Sequence, residues 1–123
     1  MRGFRKEWLR ELGADFAGPG TIRGRLYDLG DYPGARVQGA ESGQRVSGEL
    51  YRLHDPERAL RNLDQYEGFF PLEPNKSLFV RELLSVTLDD GRKKRGWAYL
   101  YNRGIAEAKL IPTGCYRDRA IVT

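Results

Sequence analysis

The 123-residue chain has very little cysteine and histidine, with Cys115 and His54 as the sole residues of each type. A single cysteine cannot form an internal disulfide, which is typical of a protein kept in a reducing compartment. One thiolate and one imidazole are also too few to hold a zinc ion by themselves. The composition therefore argues against a disulfide-stapled secreted scaffold and a Cys/His zinc module, and we expect a cytoplasmic protein.

Long apolar runs are lacking as well. No run approaches the roughly 18 residues of a membrane-spanning helix, and no apolar signal core follows the basic start at residues 1–6. Hydrophobic residues make up 40% of the chain and charged residues 31%, the balance of a globular rather than a disordered protein. We expect one domain over residues 1–123 and no membrane partner.

Charge of one sign is only slightly in excess. Lys and Arg total 21 against 17 acidic residues, so the formal net charge is +4. The densest basic run, residues 92–95, directly follows Asp89, Asp90 and Gly91. This order is typical of a charged hairpin tip, and we expect no nucleic-acid partner.

Glycine is frequent, with 15 residues, and two glycines lie in segments of similar sequence. Residues 21–29 and residues 45–53 both read as strands with a Gly-x-Leu-Tyr pattern around Gly24 and Gly48. Glycines inside strands suit a strongly coiled sheet or a small barrel. The remaining glycines favour turns, one at residues 17–20 and a type II turn at residues 31–34.

Two helices and a hairpin complete the pattern. A short helix is predicted within residues 4–12, and a second begins with Asp55 as N-cap and ends at Glu67 before Gly68. Residues 78–88 and residues 94–102 read as a hairpin with aromatic residues on one face. Strands that cluster as hairpins predict an α+β fold, a small mixed β-barrel or coiled sheet with flanking helices.

Glu67 is the strongest candidate for chemistry. The negative end of the helix dipole and the nearby rings of Phe69 and Phe70 both disfavour a charged carboxylate and would raise its pKa. A raised pKa suits a general acid/base that works near neutral pH. The alternative is an ordinary solvated residue at a helix end.

Three weaker candidates have structural alternatives. Glu82 shares a strand face with apolar residues and is either a core-facing acid, an exposed acid, or a partner of Arg23 or Arg25. Cys115 and His54 could form a nucleophile and a base, but no third group supports that pair. Phenols on several strands could line a ligand pocket or simply pack the sheet; these are Tyr27, Tyr51, Tyr99 and Tyr101.

The motifs, taken in order, resemble those of the γ-glutamylcyclotransferase-like family. The resemblance covers about residues 18–118, and it is the order of the motifs rather than any single one that is specific. The matching segments are Gly24 to Tyr27, Tyr32 to Gly34, Val46 to Tyr51, Leu63 to Gly68, Phe79 to Arg81 and Trp97 to Tyr101.

The resemblance implies a small barrel flanked by helices, with a pocket in the barrel mouth. It also implies that Glu67 is the catalytic acid/base of an intramolecular cyclisation, which releases pyroglutamate and an amine from a small γ-glutamyl compound. No metal or cofactor is implied. The implied substrate-binding residues are Tyr27, Tyr32, Pro33, Gly34, Tyr99 and Tyr101.

One motif of the family is missing. The family begins with a strand and a Tyr-Gly-Ser/Thr-Leu loop whose amides hold the substrate carboxylate, and the sequence has no such motif. We expect either a start that lies upstream of Met1, or a non-catalytic small-molecule or protein-binding module on the same fold. A lost strand would leave an open barrel edge and favour a homodimer. Translation of the DNA upstream of Met1 tests the first expectation.

Overall fold

The computed structural model of the chain describes residues 6–37, 39–41, 43–105, 108–115 and 120–122. The described helices are α1 (Lys6–Glu11), α2 (Pro56–Glu67) and a short 3-10 helix (Pro74–Lys76). The described strands are β1 (Ala14–Arg23), β2 (Arg25–Asp28), β3 (Pro33–Arg36), β4 (Arg45–Leu53), β5 (Phe79–Leu88), β6 (Lys93–Tyr101), β7 (Lys109–Ile111) and β8 (Ala120–Val122). No helix in these ranges is long and apolar enough to cross a membrane.

The strands form a closed barrel and a smaller sheet. The barrel order is β1-β4-β8-β6-β5, and β1 meets β5 where Gly20 pairs with Leu88. The β4–β8 pairing is parallel and the other barrel pairings are antiparallel, so the barrel is mixed. The second sheet has the order β3-β2-β7. The predicted α+β barrel fold is confirmed, but among the described strands β8 closes the ring where we expected an open edge.

The predicted turn at residues 17–20 is wrong. These residues lie inside β1, which carries a bulge between Phe16 and Gly18. Gly18 has a φ of +132°, and a Cβ on Gly20 would lie 2.9 Å from Cγ1 of Val86. Gly18 therefore belongs to a strand bulge and Gly20 to a close approach to the neighbouring strand β5, whereas the local sequence indicated a turn.

The predicted strand over residues 21–29 is two strands. β1 ends at Arg23 and β2 begins at Arg25, so Gly24 is the point at which the chain leaves the barrel for the second sheet. A Cβ on Gly24 would lie 3.0 Å from the carbonyl oxygen of Arg36. Close backbone approach, rather than strand curvature alone, explains this glycine.

The type II turn predicted at residues 31–34 is also wrong. Pro33 and Gly34 begin β3 and pair with Asp28 and Tyr27 of β2. The turn lies earlier, where the N–H of Leu29 donates to the carbonyl oxygen of Tyr32 at 3.0 Å. Pro33 is tolerated because it is the first residue of a strand at the edge of its sheet.

The predicted second helix is confirmed at both ends. The Asp55 side chain accepts the N–H of Arg58 at 3.4 Å, and Pro56 is the first helical residue. Gly68 ends the helix in the left-handed conformation, with a φ of 68°. These are the cap and the terminator that the sequence indicated.

The predicted charged hairpin tip is present in part, because Arg92 lies in the turn of the β5–β6 hairpin while residues 93–95 of the basic run begin β6. The Asp90 carboxylate accepts the backbone N–H and the guanidinium of Arg92, at 2.9 and 2.6 Å. These two bonds hold the pKa of Asp90 below its usual value. Part of the basic charge is thus neutralised within the tip itself.

Alternate strand residues divide the apolar side chains into two cores. The inner core fills the barrel and the space under the second sheet; its buried members are Ile22, Leu26, Ala35, Val46, Leu50, Val86, Leu88, Ala98, Leu100 and Ile121. The outer core lies between the barrel wall and the helices; its buried members are Leu9, Ala14, Tyr51, Leu53, Ala59, Leu63, Phe79, Tyr99 and Val122. The period of two along β6 sends Gly96, Ala98 and Leu100 inward and its rings outward.

Gly96 provides a test of the inner core. A Cβ at this position would lie 2.9 Å from Cγ2 of Ile121 and 3.2 Å from Cγ2 of Val86. We predict that Gly96→Ala lowers the free energy of unfolding by about 1–3 kcal/mol, because it overpacks the barrel. Urea denaturation is the measurement. Gly104→Ala is the matched control, since no atom lies within 4 Å of its Cβ position; equal stability of the two variants would contradict this packing.

Candidate active site

Glu67 lies at the end of α2 and is fully buried, with 0% of its surface exposed. The buried side of α2 also contains Ala59, Leu63 and Asp64, so Glu67 continues the face that packs on the barrel. The N–H of Leu78 donates to the carbonyl oxygen of Gly68 at 3.0 Å, which fixes the helix end beside the start of β5. The Glu67 carboxyl is therefore removed from water, as expected, and the alternative of an ordinary solvated residue at a helix end is wrong.

A second acid, Asp64, lies one helical turn before Glu67 and joins α2 to the barrel. Its carboxylate binds Arg81 in a two-point contact, Nε to Oδ1 at 2.8 Å and Nη2 to Oδ2 at 3.1 Å. The Tyr99 hydroxyl donates to Oδ1 at 2.6 Å. Asp64 is 7% exposed and Tyr99 is 0% exposed, so these contacts form in a largely dry environment.

Asp64 and Arg81 were not predicted as site residues, although both lie within the segments that resemble the family motifs. Two signals could have found them. Asp64 and Glu67 are three residues apart on one helix, which places both on one face. Arg81 and Tyr99 are direct partners in the β5–β6 pairing and therefore share a face of the sheet.

Aromatic rings hold the Arg81 guanidinium in place. Its central carbon lies 4.4 Å from the centre of the Trp97 ring and 5.7 Å from the centre of the Phe69 ring. The loop after α2 therefore covers the site through Phe69, whereas Phe70 and Leu72 of the same loop are exposed. Stacking and the two bonds to Asp64 together fix one orientation of Arg81.

The Tyr99 phenol is held neutral by its surroundings. Burial raises its pKa well above the ordinary value of 10.0, and the hydrogen bond to Asp64 raises it further. A negative charge on Glu67 acts in the same direction. Tyr99 is thus a fixed hydrogen-bond donor to Asp64.

A group of rings lies next to this network. The Phe79 ring centre is 5.5 Å from that of Tyr101 and 5.9 Å from that of Tyr32. A Cβ on Gly34 would lie 2.8 Å from Cβ of Tyr101, so only glycine lets β3 approach β6 this closely. Pro33 is buried beside Gly34. The structure therefore brings Tyr32, Pro33, Gly34 and Tyr101 together.

A cavity of about 500 Å³ opens beside Tyr101. Its other lining residues are Asp28, Leu29, Gly30, Gly104, Ala108 and Lys109. Tyr27 is buried in β2 and pairs with Gly34, which places it next to the ring group. Tyr51 instead packs in the outer core, with its ring centre 5.6 Å from that of Phe16.

Glu82 does not belong to this site. It is exposed and lines a separate cavity of about 290 Å³. The expected partners bind elsewhere, since Arg23 donates to the carbonyl oxygen of Ala40 and Arg25 donates to Gln44. The alternative of an exposed acid is the one that the structure bears out.

Cys115 and His54 do not form a catalytic pair. The His54 ring contacts Asp15 at 2.6 Å, whereas the Cys115 sulfur contacts the Ser47 hydroxyl at 3.4 Å. Ser47 and His54 are separated by roughly 23 Å along β4, at about 3.3 Å per residue. In the part of the chain that the structure describes, no three His, Cys, Asp or Glu side chains cluster as a metal site would need.

Comparisons with known proteins support the family resemblance. The family model described as gamma-glutamyl cyclotransferase, AIG2-like, matches residues 1–118. The gamma-glutamylcyclotransferase family protein YtfP of Escherichia coli strain K12 is 30% identical over 95 residues, which is 77% of this chain and 69% of that protein. The protein of the same name from Shigella flexneri has the same identity and coverage. No solved structure matches the chain.

The raised pKa of Tyr99 predicts a pH dependence of stability. Above about pH 10 the unfolded chain loses the phenolic proton while the folded chain keeps it, so the free energy of unfolding falls as the pH rises, by up to about 1.4 kcal/mol per pH unit. In Tyr99→Phe this contribution disappears, and we predict a shallower alkaline loss. Urea denaturation at several pH values around pH 10 measures it. Equal alkaline slopes in the two proteins would contradict a buried neutral phenol.

Proposed function

Because the chain belongs to the gamma-glutamyl cyclotransferase, AIG2-like family, we propose that it releases pyroglutamate and an amine from a small γ-glutamyl compound. The observation that carries the proposal is the full burial of Glu67 at the end of α2, next to the Asp64–Arg81–Tyr99 network. A buried carboxyl can serve as a general acid/base when the substrate presents it with a proton. The proposal assigns the role of acid/base to Glu67.

In the proposed reaction the substrate's own α-amino group attacks its γ-carbonyl carbon. Glu67 accepts a proton from the α-ammonium, a new C–N bond closes the five-membered ring, and the bond to the leaving nitrogen breaks. Glu67 then returns that proton to the leaving nitrogen, and the second proton of the attacking nitrogen follows the same route. The ring nitrogen keeps one N–H, the amine leaves as an ammonium ion, and Glu67 ends as the carboxylate that it was at the start. Ring closure within one molecule gains from proximity, and the protein has only to fold the substrate and move protons.

The proposed binding residues fall into two groups. Tyr32, Pro33, Gly34 and Tyr101 would hold the substrate beside the 500 Å³ cavity, and Tyr27 would support them from the neighbouring strand. Tyr99 would act through Asp64, because its hydroxyl already donates to that carboxylate. The leaving amine would face the cavity, where Asp28 and Lys109 offer one charge of each sign.

Other parts of the proposal concern the molecule as a whole. We propose a cytoplasmic protein of one domain, which suits the lone cysteine. A homodimer stays a prediction. Within the described strands, the edges open to a partner are β3 and β7 of the second sheet.

A non-catalytic binding module is the second candidate function. It is favoured by one sequence observation, the lack of a Tyr-Gly-Ser/Thr-Leu motif in the 123 residues. In this case the same cavity would bind a γ-glutamyl ligand without cyclising it.

The test of Glu67 is a substitution that keeps its shape and removes its acidity. We predict that Glu67→Gln lowers pyroglutamate release from γ-glutamyl dipeptides and amines by about 10²–10⁴-fold, because the proton carrier is lost. Glu57→Gln is the matched control, since Glu57 is on the same helix but exposed. Chromatography of released pyroglutamate is the measurement.

The outcomes separate the two candidate functions. Undiminished turnover in Glu67→Gln would contradict the proposal that Glu67 is the acid/base of the reaction. No release by the unaltered chain, together with calorimetric binding of a γ-glutamyl dipeptide, would favour the binding module. Release that falls equally in Glu67→Gln and Glu57→Gln would point to a loss of folding instead.

A further inference from the structure

Another cavity, of about 250 Å³, lies at the opposite end of the barrel from Glu67. β5 begins at Phe79, in the outer core beside α2, and reaches this cavity at Thr87. Eight residues of strand separate these ends by roughly 26 Å at about 3.3 Å per residue. The cavity is therefore distinct from the proposed cyclotransferase site.

Among the residues that the structure describes, three cationic side chains line this cavity and no acidic side chain does. They are Arg23 from β1, Arg45 from β4 and Lys93 from β6. Within the described residues none of the three has a carboxylate within 4.0 Å. Like charges that converge without a counter-charge repel one another, and an anion between them relieves that repulsion.

Arg45 is fixed in place before any ligand arrives. Its Nε donates to the Thr21 hydroxyl at 3.2 Å, and its Nη2 donates to the carbonyl oxygen of Thr21 at 3.3 Å and the Thr87 hydroxyl at 3.0 Å. These three hydrogen bonds involve Nε and Nη2 of the Arg45 guanidinium, and none of them involves Nη1. A guanidinium that is already ordered loses less entropy when it binds an anion.

Hydroxyl groups supply further donors at the same place. Ser85 and Thr87 of β5 line the cavity together with the cations. Thr87 accepts from Arg45 and can still donate its own hydroxyl proton. A neighbouring cavity of about 240 Å³ shares Arg45 and adds Arg25, which extends the positive surface.

We infer that this end of the barrel binds the phosphoryl group of a small phosphate monoester. Such a group carries a charge of −1.5 to about −2 at neutral pH and three acceptor oxygens, which matches converging guanidinium, ammonium and hydroxyl donors. Val37 and Leu84 provide an apolar wall for a short carbon chain. The cavity volume suits a phosphoryl group with a few further atoms. The proposed cyclisation involves no phosphate, so evidence against the cyclisation would not count against this phosphate site, and the reverse also holds.

The test is titration with inorganic phosphate and with glycerol 3-phosphate, at constant ionic strength held with sodium chloride. Backbone amide shifts of Thr87 and Lys93 in NMR spectra give the affinity. We expect saturable binding that weakens about tenfold in Arg23→Gln and in Lys93→Gln, the effect of one lost charged contact. Both side chains are exposed, so these variants test the site without disturbing the half-buried hydrogen bonds of Arg45.

Lys94→Gln is the matched control, because Lys94 is the exposed neighbour of Lys93 on β6 and does not line the cavity. It removes the same formal charge, and we expect unchanged affinity. Equal weakening in Lys94→Gln and Lys93→Gln would overturn the inference in favour of diffuse surface charge. Absence of saturable binding would overturn it as well. Much tighter and strongly salt-dependent binding of a single-stranded RNA oligomer would reassign the surface to nucleic acid.

Discussion

The buried contact of Asp64 with Arg81 and Tyr99 is the constraint on which the rest of the candidate site depends. It links α2 to the β5–β6 hairpin through a two-point ion pair and a short hydrogen bond. Removal of one partner would leave an uncompensated charge in a dry environment, which is among the costliest defects in a protein. The network therefore fixes the rotation of α2 about its axis. Glu67, one turn further along, is carried to the barrel wall with it.

Two layers of side chains make this arrangement possible. Small residues of β6 face into the barrel, so the wall can curve, while Trp97, Tyr99 and Tyr101 face out toward α2 and β3. Trp97 supports Arg81, Tyr99 bonds to Asp64 and Tyr101 borders the 500 Å³ cavity. Strand β6 therefore shapes the curvature of the barrel with one face, and with the other face it contacts Asp64 and borders the 500 Å³ cavity. The opposite end of the same barrel presents a different chemistry, in which cations rather than acids converge.

Much of the fold could be predicted from local sequence, and the errors have a common cause. The cap at Asp55, the terminator at Gly68 and the alternation along residues 93–101 are local signals, and they gave α2 and β6 to within about two residues. The segments at Gly18–Gly20 and Pro33–Gly34 have the composition of turns, yet they lie in β1 and β3. At these positions glycine is needed because the backbone packs closely against Val86 and Tyr101, which are distant in sequence. No local sequence pattern reveals such a contact. In the candidate site, Glu67 could be identified from the sequence because it lies at the end of a predicted helix. Asp64 and Arg81 are 17 residues apart, so their ion pair could be recognised only from the folded structure.

The most direct test of this account is a double-mutant cycle between Asp64→Asn and Arg81→Met, measured as free energies of unfolding. If the ion pair fixes α2 to the barrel, the two changes are strongly coupled, and we predict a coupling energy above about 1 kcal/mol. A coupling energy within about 0.5 kcal/mol of zero would mean that the residues act independently. That result would contradict the claim that their contact positions Glu67.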